Sequence, residues 1–268
     1  MSVKKDASGR RSIQVEVEVP GTPEEVWDAI ATGRGVSSWF VPTEERPDGA
    51  VVSHFGPGMD AVAVKTAWDP PRRFAGEGQG FGPNAPPLAT EWIVEARSGG
   101  TCIVRVVHSL FADGDDWDNQ LESFESGWPV FFRTLRLYLT HFPGWYGATM
   151  QLVTVSSRPE SAVWETLTGS LGLSGAAIGR HRRTPQGIPP LAGIVESNGD
   201  GRYPHLLILR LDEPTPGIAF LFAHAMGGQV VIEVRFYLYG PTAAAVAPRD
   251  EPLWRQWMGT HFPTSTGE

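Results

Sequence analysis

From residue 12 to 20 apolar and polar positions alternate, with Ile13, Val15, Val17 and Val19 on one side and Gln14, Glu16 and Glu18 on the other. This is the period-two pattern of a half-buried strand. At Gly21 the period changes. Thr22 is placed to cap a helix, Pro23 suits its first position, Glu24 and Glu25 complement its positive end, and Val26, Trp27 and Ile30 recur at helical spacing. Val36 to Phe40, behind Gly33 and Gly35, predict one more helical turn. Gly and Pro clusters then delimit strands near 50–55, 60–68, 73–79, 88–96 and 101–109, the punctuation of an antiparallel meander. Leu121, Phe124, Trp128, Phe131, Leu135 and Tyr138 return every three or four residues. They predict a long amphipathic helix, kinked at Pro129 and ended by His141-Phe142-Pro143-Gly144.

The plan then repeats with losses. A strand at 147–156 leads into Pro159-Glu160-Ser161-Ala162-Val163-Trp164, which matches Pro23-Glu24-Glu25-Val26-Trp27 with one residue inserted. Strands follow near 189–197, 203–212, 217–225 and 228–239, and a helix carrying Trp254 and Trp257 ends at His261-Phe262-Pro263. A Pro-Glu…Val-Trp segment opens each half and His-Phe-Pro closes it. That order predicts an internal duplication, with units at 1–144 and 145–268.

Composition narrows the class. Of 268 residues 41% are hydrophobic and 19% charged, enough apolar material for a core and too little charge for a disordered chain. A net charge of -8 argues against nucleic acid as a partner, since duplex binding rests on Lys and Arg at phosphates. The one basic cluster, Arg180-His181-Arg182-Arg183, is expected in a solvated loop. The single cysteine, Cys102, allows no internal disulfide and no paired-cysteine zinc or redox motif, and fits a reducing, cytoplasmic compartment. Neither an export signal nor a membrane span is expected, because no apolar run reaches the necessary length. Arg outnumbers Lys 19 to 3, as in proteins of GC-rich bacterial genomes.

Several segments together resemble the START-like helix-grip superfamily, also called SRPBCC or polyketide cyclase-like. They are Pro23-Glu24-Glu25-Val26-Trp27, Trp39-Phe40, Asp69-Pro70-Pro71-Arg72-Arg73-Phe74, the strand Gly100 to His108, and Gly127-Trp128-Pro129 followed by Leu135 and Tyr138-Leu139. The nearest branch is the one similar to the carboxy-terminal domain of the activator of the heat-shock-protein-90 ATPase. The resemblance spans residues 12–143; residues 145–268 share it only at their two ends. It implies an α+β helix-grip fold, a curved antiparallel sheet wrapped around a long C-terminal helix, duplicated here in degenerate form. In many relatives a cavity between sheet and helix holds an apolar small molecule.

Strand alternation selects the inward residues without the family, because charged positions mark the outer face. With Lys65 outward, Val62, Val64, Thr66 and Trp68 face inward; Glu91 and Glu95 outward put Thr90, Trp92 and Val94 inside; Arg105 outward leaves Cys102, Val104, Val106 and His108 inside. The helix adds Phe124, Trp128, Phe131 and Leu135. This set describes either an apolar ligand site or a filled core. In the second half Val230, Ile232, Val234, Phe236 and Leu238 share a face without a polar member, as in a filled core. His108 is the main candidate for proton transfer, with a hydrogen-bonded structural histidine as the alternative, and His54 next to Phe55 is a similar case. His205 and His224 lack a partner at metal-ligand spacing. Asp113, Asp115, Asp116 and Asp118 suit a helix start better than a calcium loop. Gly76-Glu77-Gly78-Gln79-Gly80 precedes no helix that could present amides to a phosphate. No metal and no cofactor are expected. The leading expectation is binding or sequestration of an apolar or aromatic small molecule; the alternatives are a cyclase- or hydrolase-like enzyme using the same cavity and a co-chaperone-like interaction module.

Overall fold

The computed structural model describes residues 3–56, 58–80, 85–111 and 117–263. They divide into two compact units, Met1–Gly144 and Trp145–Glu268.

The first unit opens with β1 (Lys4–Lys5) and β2 (Arg10–Pro20), followed by α1 (Pro23–Ala31) and α2 (Gly33–Ser37). A capping box starts α1: Thr22 Oγ1 accepts from the Glu25 amide at 3.3 Å, and Glu25 Oε2 accepts from the Thr22 amide at 2.8 Å. Six strands follow, β3 (Thr43–Glu45), β4 (Ala50–His54), β5 (Asp60–Asp69), β6 (Arg73–Gly78), β7 (Leu88–Arg97) and β8 (Thr101–Phe111). The helix α3 (Asp118–His141) then continues through Pro129. The antiparallel sheet runs β1-β2-β8-β7-β6-β5-β4-β3, so the opening strand β2 lies beside the last strand β8 and the meander leads away from it. The helix α3 packs against β2 and β8, burying Leu121, Trp128, Leu135 and Tyr138. Its first turn is tied to the sheet by Asp118, which pairs with Arg11 at 2.6 Å and Lys5 at 3.2 Å. Asp113, Asp115 and Asp116 lie outside the described residues.

The second unit has β9 (Ala148–Ser156), α4 (Glu160–Ser170), β10 (His181–Arg183), β11 (Ala192–Asn198), β12 (Leu206–Glu213), β13 (Gly217–Met226), β14 (Gln229–Leu238) and α5 (Ala243–His261). Its sheet order is β10-β11-β12-β13-β14-β9. Again the opening strand pairs with the last one, and the meander leads away with one strand fewer. A sheet whose opening strand lies beside its last, followed by a C-terminal helix, is therefore present in both units. On its inner face Val230, Ile232, Val234, Phe236 and Leu238 join one core with Trp254 and Trp257 of α5, Phe236 and Trp254 meeting at 4.7 Å.

The short strands β1, β3 and β10 escape the sequence pattern because two or three residues show no period. The basic cluster is corrected on this point. His181 to Arg183 form β10 beside β11 rather than a loop, with His181 2.9 Å from Asp212 and Arg183 paired with Glu213.

Candidate functional site

Residues directly opposite in neighbouring strands project to the same side of a sheet. Across β8, β7, β6 and β5 the register places Val106, Trp92, Phe74 and Trp68 in one row and His108, Thr90, Gly76 and Lys65 in the next. Trp128 of α3 meets Trp92 edge-on at 5.0 Å, which identifies these rows as the face toward the helix. Gly76 contributes no side chain to the second row. A cavity of about 410 Å³ opens between sheet and helix, with Thr90, Gly76 and Lys65 on its wall.

Aromatic rings from several elements contribute to the enclosure. Phe40, just after α2, contacts Phe131 at 4.7 Å, Trp128 at 5.0 Å and Phe55 at 5.6 Å. Farther along, Trp27 of α1 packs edge-on against Trp68 at 4.9 Å and Phe74 at 5.4 Å. The capping box that starts α1 thus also sets the position of the ring beside Trp68.

Val64, Trp68, Trp92, His108, Phe124, Trp128 and Phe131 border the cavity. Val104, Val106 and Leu135 do not. They are completely shielded from solvent, at 0% exposure each, and belong to the core. Alternation assigns a side chain to a face but not to a depth, and only His108, farther along β8, reaches the open part.

A second correction concerns β5. The pairing steps from Lys65 opposite Gly76 to Ala67 opposite Ala75, leaving Thr66 as the extra residue of a bulge. Trp68 keeps its inward place beside Phe74, but residues before the bulge are turned over. Ala61, Ala63 and Lys65 face the cavity; Val62 and Val64 lie along its rim with their side chains on the outer face, Val64 opposite Glu77 and 59% exposed. Thr66 likewise takes no inward place. Lys65, expected outside, lies inside. Its Nζ is 2.8 Å from Glu45 Oε2 and 4.3 Å above the Trp68 ring.

His108 is buried with both ring nitrogens engaged. Trp128 Nε1 donates to His108 Nε2 at 2.7 Å, and His108 Nδ1 lies 2.9 Å from Thr90 Oγ1. Indole N–H is only a donor, so Nε2 is the acceptor nitrogen and the neutral ring carries its proton on Nδ1. Burial holds its pKa down at about 3, and no charged form opposes this tautomer near neutrality. In this arrangement His108 links β8, β7 and α3, as in the structural alternative to the proton-transfer role. Because Thr90 Oγ1 accepts from it, the Thr90 hydroxyl keeps its own proton to donate, and Thr90 lines the cavity.

Phe40, Phe55, Phe74, Lys65 and Glu45 were not among the expected site residues. Val51, Ser53 and Phe55 share one parity and all line the cavity, a signal present in the sequence. Lys65 has none, since a bulge leaves no mark on the local pattern. Elsewhere His54 pairs with Asp60 at 2.8 Å, His205 with Glu160 at 2.7 Å, and His261 with the Trp257 carbonyl at 2.9 Å. Among the described residues no three His, Cys, Asp or Glu side chains are grouped to hold a metal, and no helix is long and apolar enough to cross a membrane.

No curated protein sequence matches the chain. Among solved structures it is similar to CalU16 from Micromonospora echinospora, at 17% identity and a TM-score of 0.41 over 52% of this chain and 83% of that one. The Aha1 dimer from Colwellia psychrerythraea is similar at 18% identity and 0.40, over 50% and 98%. The di-domain ARO/CYC BexL from the BE-7585A biosynthetic pathway is similar at 14% identity and 0.42, over 95% and 99%. Residues 20–140 match the model of the family described as Activator of Hsp90 ATPase homolog 1-like protein. This stretch runs from the end of β2 to the end of α3 and contains the cavity wall just described, so the match to the Activator of Hsp90 ATPase homolog 1-like family lies within the first unit of the chain.

Proposed function

We propose that the first unit binds an apolar, largely aromatic small molecule in the cavity between its sheet and α3, and carries or sequesters it. The observation that carries this reading is a cavity of about 410 Å³ enclosed by Phe40, Trp68, Trp92, Trp128 and Phe131, a volume and lining typical of small-molecule sites. The state of His108 favours binding over proton transfer, since both nitrogens are occupied and the ring stays neutral. The second unit, 145–268, is in this reading a degenerate START-like copy whose inner face is closed by Phe236, Trp254 and Trp257.

Native mass spectrometry of gently purified protein, with calorimetric titration of the neutral aromatic probe naphthamide, tests the proposal. The expected result is a stoichiometric mass lost on denaturation, or saturable probe binding that weakens by about tenfold or more in a folded Trp92→Ala variant. Absence of both, or unchanged affinity in that variant, overturns it.

A further inference from the structure

We propose that the molecule taken up in this cavity is an aromatic acid whose carboxylate binds the Lys65 ammonium in place of Glu45. The inference rests on the binding function above and adds the charge of the ligand.

Among the described residues Lys65 is the one Lys or Arg on the cavity wall, and Glu45 the one carboxylate. The two are joined at 2.8 Å, and the Lys65 Nζ also sits 4.3 Å over the Trp68 ring. These restraints are unequal. Glu45 belongs to the three-residue edge strand β3, and its side chain is 44% exposed against 31% for Lys65. It can turn into water, and an exposed pair of this kind contributes little. Lys65 stays over the aromatic face, where a cation is favoured. A ligand carboxylate arriving inside the cavity would exchange one anionic partner for another and leave no charge unpaired, which is the condition for holding an ion pair in an apolar setting.

The second row of the wall gives the ligand's other end a partner. Thr90 and Lys65 flank Gly76 in register, two strand spacings or roughly 9 to 10 Å apart at the backbone. The Thr90 hydroxyl accepts from His108 and keeps its O–H to donate. A fused-ring system lying over Gly76 would present its acid to Lys65 and an acceptor atom toward Thr90.

Naphthoate and naphthamide share a shape and differ in charge, so calorimetric titration of the whole chain with each reads the acid group alone. Naphthoate should bind more tightly. Lys65→Met should weaken naphthoate by roughly tenfold or more, as for loss of a charge-assisted hydrogen bond, and naphthamide, whose neutral carbonyl is a weaker acceptor, by clearly less. Glu45→Gln, which frees the ammonium, should strengthen naphthoate binding. Lys65 is one of three lysines, the others being Lys4 and Lys5, so its acetylation by acetic anhydride is read at one internal peptide, and bound naphthoate should protect it. If Lys65→Met does not fold, Glu45→Gln and the protection experiment decide. Equal affinity for the two probes, equal losses in Lys65→Met, or unprotected Lys65 overturns the acid assignment and leaves the cavity reading standing. Binding of neither probe, with no mass released on denaturation, overturns both.

Discussion

His108 holds three elements together because it does not titrate near neutrality. Its pKa falls from 6.5 to about 3 on burial, so below pH 6.5 the unfolded chain takes up a proton that the native chain refuses. Native stability is therefore full above pH 6.5 and lost as the pH falls toward 3, by up to about 1.4 kcal/mol per pH unit from this group. Urea midpoints of the native protein and His108→Gln at pH 7.5, 5.5 and 4.5 should converge as the solution is acidified; parallel lines would contradict the assignment. The inward direction of His108 is legible in the alternation of Cys102, Val104, Val106 and His108. Its partners are not, since Thr90 and Trp128 reach it from β7 and α3.

At the level of elements, period and punctuation placed the longer strands and α3 within a few residues, because each has a regular face and a Gly or Pro boundary. The cavity wall was read less well where regularity fails. Thr66 interrupts β5, and a one-residue step exchanges the faces of every earlier position. Depth was equally hidden: Val104, Val106 and Leu135 have the right parity or spacing and are enclosed in the core. These distinctions predict opposite costs for similar truncations. Leu135→Ala should destabilise the protein by about 2–5 kcal/mol through transfer and cavity terms. Val64→Ala, on the outer face and 59% exposed, should stay within about 0.5 kcal/mol. Denaturant unfolding of the two variants checks both values; comparable losses would place Val64 back in the interior.

Over the whole molecule, two units share one topology and differ in what lies between sheet and helix. In the first, Gly76 leaves a gap beside Trp92 and Trp128; in the second, Phe236 meets Trp254 at 4.7 Å in a continuous core. Ligand stoichiometry should therefore be one per chain, not two, in titrations that count sites. Two sites of similar affinity would show that the second inner face opens. The recurrence of the strand order was signalled by two recurring sequence markers, whereas the different fillings became clear only once register and ring contacts were known.

The bulge at Thr66 has an evolutionary corollary. Taking Thr66 into regular pairing opposite Gly76 would shift the earlier part of β5 by one residue, turning Val62 and Val64 inward and Lys65 out. Such a slip would replace a cationic wall with a hydrocarbon one while every flanking strand and helix kept its sequence. In this architecture, preference for a new class of compound is reachable by sliding a strand past its neighbour, without a series of individual substitutions.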